Sequence, residues 1–303
     1  KKNLPGLPRE ILFCSGGTEA NNLAIFGAAR AIARNRGNKH IVTCATEHHS
    51  TLHPCKRLEE EEFDVTVLPV DSFGRLDPAS LGGALRPDTI LVSIMSANNE
   101  TGTLHPIREM GALCRSKGIV FHCDAIQSFG KEKVNVNEWN ADLLTIAAHK
   151  FYGPKGAALL YARSGTPLQS LHLGGAQENE RRAGTENVAA IVGMAIAAEH
   201  AAQRAESENH RLFMLTEELW NALSASIPDI RRNGHAIERL GNTLNVSFAG
   251  CDGENLLIAL DLEGLAVSSG SACIVGSIRS SHVLRAMGLP EEWTRATARF
   301  SLG

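Results

Sequence analysis

The chain is expected to be an α/β protein: a large domain built on a mostly parallel sheet, followed by a smaller α+β domain. Three observations predict this. Short apolar runs alternate with helical stretches through the first two thirds of the 303 residues. Several runs are apolar almost without interruption, as strands buried on both faces must be. After Pro228 the alternation gives way to a shorter set of strands and helices.

The elements follow in order. Ile11–Cys14 is a short apolar run, and residues 18–35 carry Leu23, Ile25, Phe26, Ala29 and Ile32 at helical spacing. His40–Cys44 reads as a strand and 51–62 as a helix with an acidic end. Residues 65–70 and Thr89–Met95 read as strands and 107–117 as a helix; 119–123, Leu143–Ala147 and 157–162 are strands again. A long helical stretch, one helix or two, covers 186–226, and its polar middle at 203–211 reads as a solvated join. The expected small domain has strands at Thr243–Phe248, 265–268 and 297–302 and helices at 254–262 and 281–287. The boundary is placed near residue 205, giving a large domain 1–205 and a small one 206–303.

Composition narrows the function. Lys and Arg number 30 against 33 Asp and Glu, a formal charge of −3, so gross charge gives no nucleic-acid-binding face. Hydrophobic residues make up 43%, enough for a sizeable core. The apolar run 189–198 is about half of a bilayer span, so no membrane partner is expected. The seven cysteines (14, 44, 55, 114, 123, 251 and 273) are odd in number and show no zinc-ribbon spacing, and no metal site is expected. They read as reduced thiols, one of them reactive, in a cytoplasm-like compartment.

Ligands in an open parallel sheet sit at the carboxyl ends of its strands, and the loops there are rich in polar residues. Ser15-Gly16-Gly17-Thr18 before a helix is either a phosphate cradle or a plain helix cap. In Thr46-Glu47-His48-His49-Ser50, one histidine can stack on a planar ring or move protons; the bland reading is two surface histidines capping a helix. Asn98-Asn99-Glu100-Thr101-Gly102 is a turn former whose amides can also bond a ligand. Asp124 ends an apolar strand, where burial without a partner is costly. Lys150 follows the next strand, as an ion-pair lysine or an amine desolvated for Schiff-base chemistry. A carboxylate for a ring nitrogen, an amine for an aldehyde and a Gly-rich helix start for a phosphate are together what pyridoxal 5'-phosphate needs.

With these residues assembled, the chain resembles the cysteine desulfurases, fold-type I pyridoxal phosphate enzymes of the class V aminotransferase group. The stretches that carry the resemblance run in the family's order: SGGTEANNLAI, TEHHS, SANNETGTLHPI, HCDAIQSFGK, AAHKFYGPKGAALLY, RRAGTENVAAIVGMA, NTLNVSF, SSGSAC and RFSLG. The resemblance implies that 1–205 is the cofactor-binding domain. Position by position, Lys150 matches the Schiff-base lysine and Asp124 the carboxylate on the pyridinium nitrogen. Gln127 matches the residue on the phenolic oxygen. His48 matches the stacking, proton-moving histidine. Gly17, Thr18 and His149 match phosphate contacts. Thr185 matches a phosphate contact given by the neighbouring subunit of a homodimer. Asn99, counted with the cofactor site, and Arg299 match the holders of the substrate carboxylate. Cys273 matches the persulfide-forming cysteine, on a loop that carries sulfur to acceptor proteins and that the resemblance allows to ligate an iron–sulfur cluster transiently.

The implied reaction takes L-cysteine to L-alanine and leaves a persulfide on Cys273, for an acceptor such as an iron–sulfur scaffold or a thiolation enzyme. A selenocysteine lyase, another class V reaction such as amino transfer, and a non-catalytic dimeric scaffold for sulfur-carrier proteins are the alternatives. The sequence departs from the family at Ala147, where Ser usually donates to the phosphate, at 177–181, and at 277–280. The resemblance also implies family sequence before Lys1, including an Asn for the substrate carboxylate, and a terminal helix after Gly303. On that ground the chain is read as a fragment or a trimmed form.

Overall fold

In a computed structural model, which describes residues 8–269 and 280–303, the chain folds as two compact units. The first comprises the described part of Lys1–Leu68, with Asp77–Ser96 and Pro106–Ala205. The second comprises Pro69–Leu76, Ala97–His105 and the described part of Glu206–Gly303. Among the described residues no helix is long and apolar enough to cross a membrane.

The first unit is built on seven strands: β1 (Ile11–Cys14), β2 (His40–Cys44), β3 (Asp64–Leu68), β4 (Thr89–Met95), β5 (Val120–Asp124), β6 (Leu143–Ala147) and β7 (Ala158–Ala162). Their order across the sheet is β1-β7-β6-β5-β4-β2-β3. Strands β2, β4, β6 and β7 are buried along their whole length, which is why their sequences are apolar with little alternation. Helices α1 (Gly17–Arg36), α2 (His49–Glu59), α3 (Pro78–Ala84) and α4 (Ile107–Ser116) connect them. Helix α1 buries Leu23, Ile25, Ala28, Ala29 and Ile32 in the core with Leu12, Ile41, Leu91 and Leu160, at the spacing that the sequence shows.

The sheet is not wholly parallel. Strands β3, β2, β4, β5 and β6 pair in parallel, but β7 is antiparallel to both β6 and β1. The β6–β7 connection is too short for a crossover helix, so the chain must turn back. Two reversals restore the direction: β1 runs with the parallel set. The carboxyl ends of β1, β2, β4, β5 and β6 therefore share one edge of the sheet.

Helix α5 (Val188–Ser226) is one continuous helix across the stretch that the sequence allows to be one or two. The second unit has an antiparallel sheet of β8 (Ile230–Asn233), β9 (Thr243–Phe248) and β10 (Thr297–Ser301), in the order β10-β9-β8. It also holds α6 (Gly253–Leu262), α7 (His282–Ala286) and α8 (Glu291–Arg295). Its core joins Leu244, Val246, Phe248 and Ala298. The strand expected at 265–268 is only a bridge between Ser268 and Arg299. The backbone N–H of Leu265 donates back to Leu260 O and closes the end of α6, while that of Ser268 donates to Arg299 O in the bridge.

Candidate active site

The shared sheet edge collects the first unit's polar loops. Helix α1 starts right after β1. Its N-cap, Gly16, offers no side-chain bond, so first-turn N–H groups at the positive end of a 20-residue helix are not spent on a side-chain cap. Gly17 is closely approached: a Cβ there would lie 2.3 Å from Ile126 Cδ1, so the end of that side chain would have to turn away, and 3.5 Å from Ala147 Cβ, an ordinary contact. Thr18 is exposed. Glu19 accepts from Ser15 N at 2.7 Å and from Arg182 Nε at 2.8 Å, which ties the segment leading to Thr185 to the helix start. Burial raises the proton affinity of Glu19, but the bonds from Arg182 and Ser15 outweigh it and keep the carboxyl below its ordinary range.

Asp124 ends β5 and is 5% exposed. Burial pushes its carboxyl up; the N–H of Ile126 (2.9 Å to Oδ1), the amide of Asn21 (Nδ2 to Oδ2, 2.7 Å) and the charge of Lys150 oppose that. Lys150 is half-buried in a 3-10 turn, Ala148–Phe151, which follows β6 and is closed by Tyr152 at φ 65°. Gln127 is half-buried in the turn after β5, and its main-chain carbonyl accepts from Lys131 Nζ at 2.8 Å. Burial, with the charge of Lys150, pushes Lys131 down to about 8. His149 is exposed, and desolvation with the charges of Lys150 and Lys155 favours its neutral form.

His48 is the N-cap of α2, as the bland reading has it. Its Nδ1 accepts from Ser50 N at 3.0 Å and lies 2.8 Å from Ser50 Oγ. A backbone N–H can only donate, so Nδ1 carries no proton and the neutral ring holds its proton on Nε2. The neighbouring Glu47 is fully buried; burial pushes its carboxyl well up, and its Oε1 accepts from Met95 N at 2.7 Å.

Sequence reasoning missed Asn21, Ser50, Glu47 and Lys131 in this neighbourhood. For Asn21 a signal was present: it lies four and seven residues before Ile25 and Ala28, on the core face of α1, where a polar side chain needs partners.

Asn99 and Arg299 belong to the second unit, where they touch. Arg299, on β10, donates from Nη1 to Asn99 O at 2.8 Å, and its backbone N–H donates to Ser268 O at 2.7 Å. Asn98 serves as the turn former, with Oδ1 accepting from the N–H groups of Glu100 and Thr101. Glu100 is buried and accepts from the Ser281 hydroxyl, the N-cap of α7. Cys273 lies outside the described residues, between these two anchored serines in sequence.

The residues of the first unit fit pyridoxal phosphate. The glycine-floored start of α1 suits a phosphate. The buried Asp124 carboxyl suits a protonated ring nitrogen. Lys150, whose charge is felt at Asp124, suits the aldehyde carbon.

Comparison with known proteins agrees with this geometry. The family described as Aminotransferase class-V matches residues 4–303. Cysteine desulfurase IscS of Dictyoglomus turgidum is 50% identical over 294 residues, covering 97% of this chain and 74% of the relative. The protein of the same name from Methanosarcina thermophila is 48% identical over 97% of this chain and 72% of its own length. Among solved structures, a NifS-like protein superposes with a TM-score of 0.89 at 33% identity, covering 98% of this chain and 78% of that one. SspA in complex with cysteine gives 0.83 at 36% identity, with 99% and 83% covered. Lys150, the buried Asp124 carboxyl and the start of α1 lie along one sheet edge, and the family match covers nearly the whole chain: the chain belongs to the aminotransferase class-V family and, within it, to the cysteine desulfurases.

Proposed function

We propose that this chain, with pyridoxal phosphate, converts L-cysteine to L-alanine and keeps the released sulfur as a persulfide on Cys273. The observation that carries the reading is the placement of Asp124 and Lys150 at the ends of paired strands β5 and β6, on the sheet edge where α1 begins. The bound cofactor supplies an electron sink conjugated to the substrate's amino nitrogen. Lys150 takes the proton from the substrate α-carbon and returns one to the carbon skeleton. The Asp124 carboxylate holds the proton of the ring nitrogen, and the N–H of Ile126 and the amide of Asn21 hold that carboxylate. His48, with its proton on Nε2, covers the ring and exchanges protons through that nitrogen. Gly17, Thr18 and His149 hold the phosphate, Gln127 the phenolic oxygen, and Asn99 with Arg299 the substrate carboxylate. The Cys273 thiolate attacks the substrate sulfur: the S–S bond forms as the C–S bond breaks, and the β-carbon takes a proton, so cysteine plus thiol gives alanine plus persulfide.

The working unit in this reading is a homodimer. Val188, Val192 and Ile196 form an exposed apolar stripe at four-residue spacing, 65%, 52% and 54% exposed, and Leu173 is 88% exposed. Thr185, exposed beside this stripe in sequence, reaches the neighbouring subunit's phosphate. The persulfide passes to an acceptor protein such as an iron–sulfur scaffold. The described cysteines are free thiols, five of them buried, which suits a reducing compartment such as the cytoplasm. The relatives' names favour the desulfurase over a selenocysteine lyase or a scaffold. The test is a first-turnover assay with L-cysteine: alanine equimolar with sulfur on the Cys273 peptide, and loss of turnover in Cys273→Ala with the visible absorption band kept. Undiminished turnover in Cys273→Ala refutes the assigned acceptor.

A further inference from the structure

Two groups given to the cofactor ring, Asp124 and His48, are joined by a chain of hydrogen bonds through two buried residues, Asn21 and Ser50. Asn21 is fully buried and Ser50 is 6% exposed. The Asn21 amide nitrogen donates to Asp124 Oδ2 at 2.7 Å and to Ser50 Oγ at 2.8 Å. The carboxylate accepts only, which fixes the amide with its NH2 toward Asp124. Ser50 Oγ accepts from that amide, so its own proton is available to His48 Nδ1 at 2.8 Å, where Ser50 N–H also points, at 3.0 Å. Asn21 Oδ1 is buried without a hydrogen-bond partner. Such a cost is tolerated where the other end of the amide is needed.

We propose that Asn21 and Ser50 are positioning residues that set Asp124 and His48 as one unit, Asn21 holding the Asp124 carboxyl in its orientation while Ser50 fixes His48 with its proton on Nε2. An amide does not pass protons along, so the chain orients and polarises; it is not a proton relay. The donors run outward from one nitrogen, so loss of Asn21 frees Asp124 Oδ2 and the Ser50 hydroxyl together. This rests on the roles of Asp124 and His48 proposed above.

The test uses the full chain with Asn21→Ala, Asn21→Asp, Ser50→Ala and Ser50→Thr, with Asp124→Asn and His48→Gln as references and circular dichroism as the check of folding. Imidazole 15N NMR of the cofactor-free protein reports the His48 tautomer; His48→Gln assigns it. Wild type shows the proton on Nε2. Ser50→Ala keeps the proton on Nε2, because the backbone N–H of residue 50 still donates to Nδ1, but shifts the Nδ1 resonance toward that of a ring with one donor fewer, and Ser50→Thr restores it. Titration with pyridoxal phosphate, read by visible absorption, shows affinity weakened about tenfold in Asn21→Ala and Asn21→Asp, the loss of one bond to a charged group. In both, kcat falls by about the same factor, with KM changed less than about twofold. A His48 protonated on Nδ1 in wild type overturns the proposal. So does a folded Asn21→Ala with wild-type affinity and kcat. If Asn21→Ala does not fold, the isosteric Asn21→Asp and the Ser50 pair decide. If Asp124→Asn and His48→Gln are themselves as active as wild type, the underlying site reading fails; if they are impaired while the Asn21 and Ser50 variants are not, the coupling alone fails.

Discussion

Ala147→Ser is expected to tighten cofactor binding while weakening the cofactor-free protein. Ala147 ends β6, is fully buried, and faces the first turn of α1, where a Cβ on Gly17 would lie 3.5 Å from its own. A hydroxyl added there has no solvent. Left unpaired in the cofactor-free form it costs about 1–3 kcal/mol. With a phosphate on the helix start, it donates to a charged oxygen, a bond worth about 1.5–3 kcal/mol. Taking about 2 kcal/mol as the difference between the two forms gives roughly a thirtyfold lower dissociation constant, since about 1.4 kcal/mol is a factor of ten. Calorimetry and a titration followed by visible absorption read the two sides. The cofactor-free variant melts a few degrees lower than wild type, and the difference vanishes or reverses once pyridoxal phosphate is bound. A folded variant with unchanged or weaker affinity refutes the placement of the phosphate against Ala147. An equal melting shift in both forms reduces Ala147 to a packing residue.

Two further outcomes follow from buried titratable groups. His122 lies between Ser93 Oγ (2.8 Å) and Thr145 Oγ1 (3.1 Å), and burial pushes it down to about 3; burial first, then the Arg75 charge, pushes His105 down to about 4. Both sit below the ordinary histidine value, so between those values and about 6.5 the unfolded chain binds protons that the folded chain refuses. Each therefore removes about 1.4 kcal/mol of stability per pH unit as pH falls through that window. In His122→Gln, urea denaturation at several pH values should show a slope shallower by about that amount; an unchanged slope contradicts it. Burial also raises the Glu100 carboxyl, with Ser281, His282 and Arg299 opposing. Glu100→Ala leaves the Ser281 hydroxyl without this acceptor and should lower hydrogen-exchange protection at the start of α7 by roughly 1–3 kcal/mol, whereas Glu100→Gln keeps most of it. Equal protection in both variants contradicts the role of that contact.

The parts of the fold that buried strands dictate were legible. Thr89–Met95 and Leu143–Ala147 read as apolar runs because both faces are covered, and the loops after them could be searched for chemistry. Strand direction was less accessible: the reversals at β7 depend on a short connection and on pairing with β1, far away in sequence. Short elements such as β8 and α8, of four and five residues, carry too little periodicity to stand out. The expected strand at 265–268 shortens to one bridge at Ser268, with the Leu265 N–H turned back to the end of α6. In the site, Asp124, Lys150 and the Gly16-Gly17 turn were visible as costly or permissive residues at strand ends. The bonds that organise them were not, because Asn21 meets Ser50 and Asp124 across 29 and 103 positions of sequence, which no local pattern spans. His48 caps a helix through Nδ1, as the bland reading has it, and that bond leaves the proton on Nε2.

The most direct test is to find which lysine carries the cofactor. Two amines lie near Asp124 and Gln127: Lys150 at the end of β6, and Lys131, which burial and the charge of Lys150 push down to about 8. Borohydride reduction of the loaded protein, followed by peptide mapping, distinguishes them. The pyridoxyl group is expected on Lys150 and is lost, with the visible band, in Lys150→Ala. The group on Lys131, or an unchanged band in Lys150→Ala, would contradict it.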